Sequence, residues 1–219
     1  MTFFAQLQEQ TAGDRDYLLS APIIGQAMAG AVSRESYLAF LTQAYHHVKH
    51  TVPLLMACGA RLPDRLEWLR GAVAGYIEEE IGHQDWILDD IAAAGGNASA
   101  VRAGAPAFET EVMVAYAYDT IARGNPVGFF GMVYVLEGTS VELATQLAGK
   151  LSTSLDLPSS AFTYLSSHGC LDQQHILHFQ SLVNRLEEPA DRAALIHGAR
   201  VFFRLYGDVI RSLPMGRPQ

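Results

Sequence analysis

Three stretches of this chain carry side chains of the kinds that bind metals or move protons. The first is S-H-G-C-L-D-Q-Q-H at 167–175. On a helix each residue advances about 100°, so His168, Asp172 and His175 fall on one strip roughly 60° wide. His178 lies about 60° beyond the edge of that strip on the same geometry. The second is I-E-E-E-I-G-H-Q-D-W at 77–86. There Glu80 and His83 are related by i, i+3 and Glu79 and His83 by i, i+4, so either glutamate can share a face with the imidazole.

The third is P-V-G-F-F-G-M-V-Y-V-L-E-G-T-S at 126–140, apolar or glycine almost throughout until Glu137. A helix that is apolar all round is buried on every side, and a carboxylate inside it needs a cation, a proton or an arginine to offset desolvation.

Together these give three imidazoles, His83, His168 and His175, and three carboxylates, Glu80 or Glu79, Glu137 and Asp172. Mixed imidazole and carboxylate ligation suits iron or manganese better than a thiolate zinc site. A bridging carboxylate, for which Glu137 is the candidate, accounts for six ligands around two ions. Helical bundles build dinuclear carboxylate centres in this way. A ferritin-like site needs two Glu-x-x-His motifs; this chain has one, and the residue three after Glu137 is Ser140. Tyr134, one turn before Glu137, is a candidate to border the substrate, as are Tyr45 and His46.

The elements that must position these groups read as helices. Ser33 caps one that runs through Y-L-A-F-L-T-Q-A-Y-H-H-V-K-H, with a kink or break at Pro53. Pro63 opens the next and Gly95-Gly96 closes it. A helix over 107–123 stops at Gly124-Asn125, another runs from Pro126 to about 150, and Pro158-Ser159-Ser160 separates it from the histidine helix. The last starts at Pro189 and ends before Pro214. The first thirty residues read as one or two shorter helices. No strand signal, fixed-period repeat or linker interrupts this pattern. The expectation is one all-helical domain over 1–219 with six or seven substantial helices. Gly128, Gly131 and Gly138 would let helices approach closely.

Composition narrows the function. The chain has 219 residues, 49% hydrophobic and 17% charged, with net charge −8. That is a folded protein and not a nucleic-acid surface. No signal peptide or uninterrupted membrane-length apolar run is found. Two cysteines, Cys58 and Cys170, form no C-x-x-C pair. A cytoplasmic protein acting on a small molecule is expected, with no nucleic-acid or membrane partner.

The three stretches, in this order and spacing, resemble the haem-oxygenase-like diiron oxidases and oxygenases, the iron-containing redox enzymes grouped with TenA and PqqC proteins. The resemblance implies an all-α bundle of seven or eight helices with the site at its centre. It implies two iron ions, O₂ as co-substrate and oxidation of a small organic substrate. It maps the ligands onto Glu80, His83, Glu137, His168, Asp172 and His175, and a homodimer is common among similar proteins. Where some members place a glutamate seven residues before the Glu-x-x-His histidine, this chain has Tyr76. Where others draw a carboxylate from an earlier helix, it offers His47 and His50. The alternatives are a metal-free TenA- or PqqC-like enzyme (thiaminase or cofactorless oxidase) and a non-catalytic helical protein that binds a metal or ligand. A thiaminase needs a nucleophilic cysteine, for which Cys58 is available; Cys170 falls on the far side of the helix from the ligand strip.

Overall fold

A computed structural model describes residues 1–216, with side chains described for all of these except Thr145 and residues 168–174. The described residues form twelve α-helices and no strand. They are α1 Phe3–Gln10, α2 Ala12–Leu19, α3 Pro22–Met28, α4 Arg34–Val48, α5 Thr51–Arg61, α6 Glu67–Glu80, α7 His83–Ala93, α8 Ala98–Ala103, α9 Phe108–Arg123, α10 Phe130–Leu155, α11 Thr163–Val183 and α12 Pro189–Ser212.

The number exceeds seven or eight for local reasons. The first thirty residues make three helices, not one or two. The Ser33 helix ends at Val48, before Pro53; the proline instead sits in the first turn of α5, where a missing N–H breaks no intrahelical bond. The segment expected to be continuous from Pro63 to Gly95 breaks at Ile81–Gly82. Gly82 adopts φ +94°, a left-handed conformation that favours glycine. The expected caps are in place elsewhere: the Ser33 hydroxyl accepts from the Ser36 N–H, and Pro189 occupies the first turn of α12.

At the centre lies α10, packed against α11 and α12. The stretch Pro126–Ala144 is long and apolar enough by composition to cross a membrane. Glu137 and Glu142 interrupt its apolar run. Here it is a core helix, joined to one contiguous apolar cluster drawn from almost every other helix. Gly128 and Gly131 lie against Gly198 and Ala199 of α12, backbone to backbone. Gly138 meets no neighbour and takes no part in that close approach.

Two buried aspartates tie the helices together. Asp191 on α12 accepts two hydrogen bonds from Arg65, at 2.5 and 3.0 Å, and one from Asn125 at 2.8 Å. Asp90 on α7, fully buried, accepts the N–H groups of Thr163 and Tyr164 at 3.0 and 2.8 Å. Those are orphan donors at the start of α11, so Asp90 joins the helix that opens with His83 to the helix that carries His175. Asp90→Ala strands both donors out of water and is expected to lower the unfolding free energy by about 2 kcal/mol. Asp90→Asn, which keeps one acceptor, should cost about half of that; urea denaturation of the two variants measures both.

Candidate metal and substrate site

The turn at Ile81–Gly82 leaves His83, the first residue of α7, against Glu80, the last of α6. His83 Nδ1 lies 3.1 Å from Glu80 Oε2. The pair expected from helical i, i+3 spacing thus forms across a break between helices. His83 is buried, with its ring stacked on Trp86 at 4.1 Å between centroids.

Glu79 takes a different partner. His175 Nε2 is 3.1 Å from Glu79 Oε2, and His175 Nδ1 is 3.9 Å from Glu137 Oε1. Glu79 is largely exposed, with 56% of its side chain in solvent, whereas Glu137 and His175 are each 9% exposed. The imidazole therefore stands between a solvated carboxylate on α6 and a buried one on α10. Tyr76, one turn before Glu79 and Glu80, sets its ring edge-on to His175 at 6.2 Å. Both glutamates left open by the spacing are used: Glu80 with His83, Glu79 with His175.

His168 and Asp172 lie outside the described side chains. Among the described residues no group of three or more His, Cys, Asp or Glu side chains makes a ready metal cage; the donors stand as hydrogen-bonded or ion-paired sets.

Glu80 and Glu137 open onto a cavity of about 180 Å³. His47, Tyr76, Tyr206 and Ser140 also stand on its wall, and the remainder is mostly aliphatic. His47 is buried edge-on to Tyr206 at 5.9 Å. The Ser140 hydroxyl is buried with no hydrogen-bond partner among the described residues, one turn past Glu137, where a ferritin-like chain would carry histidine.

Tyr134 is not on this wall. It is buried in an aromatic cluster, stacked on Phe179 at 5.7 Å and edge-on to Phe4 and Phe203 at 6.0 and 5.8 Å. The tyrosines that do line the cavity are Tyr37, Tyr76, Tyr164 and Tyr206. Tyr76 carried a usable signal, its i, i+4 relation to Glu80.

His50 also points elsewhere, with Nδ1 3.1 Å from the Tyr118 hydroxyl, and His46 Nδ1 is 3.2 Å from Lys49 Nζ. Burial, then the Lys49 charge, holds both imidazoles below the usual histidine value of 6.5. Below that value the unfolded chain binds protons that the folded chain refuses, so stability falls as the medium is acidified. Denaturation midpoints should drop from pH 7.5 to pH 5.5, and the double variant His46→Gln, His50→Gln should show a flatter slope.

Cys58 is buried, its thiol donates to the Pro126 carbonyl at 3.5 Å, and burial pushes its pKa up to about 12. It is a packed thiol, not a nucleophile.

A family described as iron-containing redox enzymes matches residues 38–207. No curated protein matches the sequence. Among solved structures, a domain of unknown function with a haem oxygenase-like fold from Shewanella denitrificans is 23% identical, covers 96% of this chain and 91% of its own, and has a TM-score of 0.84. Haem oxygenase from Leptospira interrogans is 15% identical, with coverage of 97% and 100% and a TM-score of 0.80. A TenA homologue from Pseudomonas syringae pv. tomato is 12% identical, with coverage of 95% and 90% and a TM-score of 0.78. At these identities the likeness is one of fold.

Proposed function

This chain belongs to the family of iron-containing redox enzymes, and we propose that it works within it as a non-haem, two-iron oxidase or oxygenase that uses O₂ on a small organic substrate. The observation that carries the reading is the arrangement around His175. A histidine that ligates a metal commonly gives its other ring nitrogen to a carboxylate, which fixes tautomer and orientation. Glu79 stands at that second position on Nε2, while Nδ1 faces the buried Glu137. Imidazole and carboxylate donors beside an apolar cavity suit ferrous and ferric iron. A centre with three carboxylates suits it better than haem, which takes one axial imidazole and an open distal face.

In this reading Glu80, His83, Glu137, His168, Asp172 and His175 would hold the ions, with His47 at the pocket wall. When bound, iron supplies the one-electron chemistry that O₂ needs and a Lewis acid beside the substrate. The chain supplies the rest. Glu79 orients His175 and keeps its Nε2 proton in place. The apolar walls exclude water, and Ser140 offers a hydroxyl beside Glu137 to orient a polar group. A homodimer in the cytoplasm completes the proposal.

The metal-free TenA-like reading draws on the shared fold, but the buried Cys58 thiol is off the cavity wall and largely protonated. One experiment decides between them. Protein reconstituted anaerobically with ferrous iron should take up two ions per chain and consume O₂ on exposure to air. Failure to bind iron, or undiminished turnover in excess chelator, would overturn the proposal.

A further inference from the structure

The cavity has a direction. Glu137, Ser140, Ala144, Leu147 and Leu151 recur every three or four residues along α10, a single stripe, and all of them line it. At 1.5 Å per residue that stripe runs about 21 Å. Ile23 and Ala27 of α3 line it, as do Ile210 of α12 and the following Leu213. Among the described residues Glu80 and Glu137 are its acidic groups, and no lysine or arginine lines it. The Ser140 hydroxyl, buried without a hydrogen-bond partner among the described residues, stands where the acidic end meets the aliphatic walls.

The tyrosines, His47 and the hydroxyls of Ser36, Thr51 and Thr139 also line the cavity, but between Ala144 and Leu151 and along Ile23 and Ala27 a sugar, nucleotide or free amino acid would surrender its water hydrogen bonds and find few partners to replace them. A hydrocarbon chain loses nothing there.

We propose that the cavity takes an unbranched aliphatic chain, with its polar head beside Ser140 and Glu137 and its tail along α10 toward Leu151. Placing the head at the reacting end rests on the oxidase reading above; placing the tail rests only on the walls. Burying each further methylene favours binding, until the chain outruns the slot.

Calorimetric titration of the chelated, metal-free protein with straight-chain alkanols, alkanoates and alkylamines, from butyl to dodecyl and below micelle formation, tests the tail. Affinity should rise about fourfold per methylene and then level off. Ala144→Phe and Leu143→Trp each narrow the slot partway along, and either one, once shown to be folded by circular dichroism, should move the plateau to shorter chains. Affinity independent of chain length overturns the proposal, as does a plateau unmoved in a folded variant. Chain binding without iron uptake in the reconstitution experiment would keep the tail and sink the oxidase; iron uptake without chain binding would do the reverse.

Discussion

Gly198→Ala is expected to lower the unfolding free energy by about 3 kcal/mol, the upper end of what overpacking usually costs. A β-carbon at Gly198 would fall inside van der Waals contact of the Gly128 carbonyl oxygen, and one at Gly131 would meet the backbone of Gly198 and Ala199. The obstacles are main-chain atoms, with no rotamer to yield. Either α12 lifts from α10 or the 126–131 segment distorts, and both open the core next to Phe129 and Phe130. In a chain of this size the loss should lower the melting temperature by roughly 6 to 12 °C. Gly71→Ala on α6, where the added carbon meets nothing, should instead gain up to about 1 kcal/mol from helix propensity. Thermal and urea denaturation of the pair separates steric contact from propensity; similar stabilities for the two variants would show that the α10–α12 crossing is looser than described.

Proline and glycine punctuation made much of this architecture legible. The helix over 107–123 is observed as Phe108–Arg123, and Pro189 opens the last helix as expected. These signals are local: a fixed φ, a missing donor, a left-handed residue at a helix end. The break at Gly82 was not legible, because apolar residues continue at helical spacing on both sides of it, and a glycine inside such a pattern is usually tolerated. The burial of Glu137 could be foreseen from the unbroken apolar run before it. That Tyr134 faces the core and Tyr76 the cavity could not, because a helix apolar on every side does not reveal which side is solid. For the same reason Leu147, Leu151 and Ile23 read only as core. The wall of an apolar cavity and the interior of a packed core draw on the same residues, and only tertiary placement tells them apart.

Glu137→Leu should leave the metal-free protein as stable as the parent, or more stable by about 1 to 2 kcal/mol, while abolishing the proposed iron-dependent chemistry. A carboxylate only 9% exposed, in mid-helix and on an aliphatic wall, has lost most of its hydration. Replacing a buried ionic group with an apolar side chain of similar size is often neutral or stabilising. His175 keeps Glu79 after the change, so its imidazole is not left unpaired. A residue selected for folding alone would not be a glutamate here; one that holds a cation, as proposed above, would be, since the ion returns what desolvation costs. If the two-iron proposal holds, iron uptake should then fall to one ion or none per chain, and O₂ consumption by at least about 100-fold, as loss of a direct ligand exceeds the effect of losing an outer partner. Equilibrium denaturation and iron counting on the same preparations read both halves. A variant several kcal/mol less stable without metal, yet still binding two irons, would make Glu137 a structural partner of His175 and nothing more.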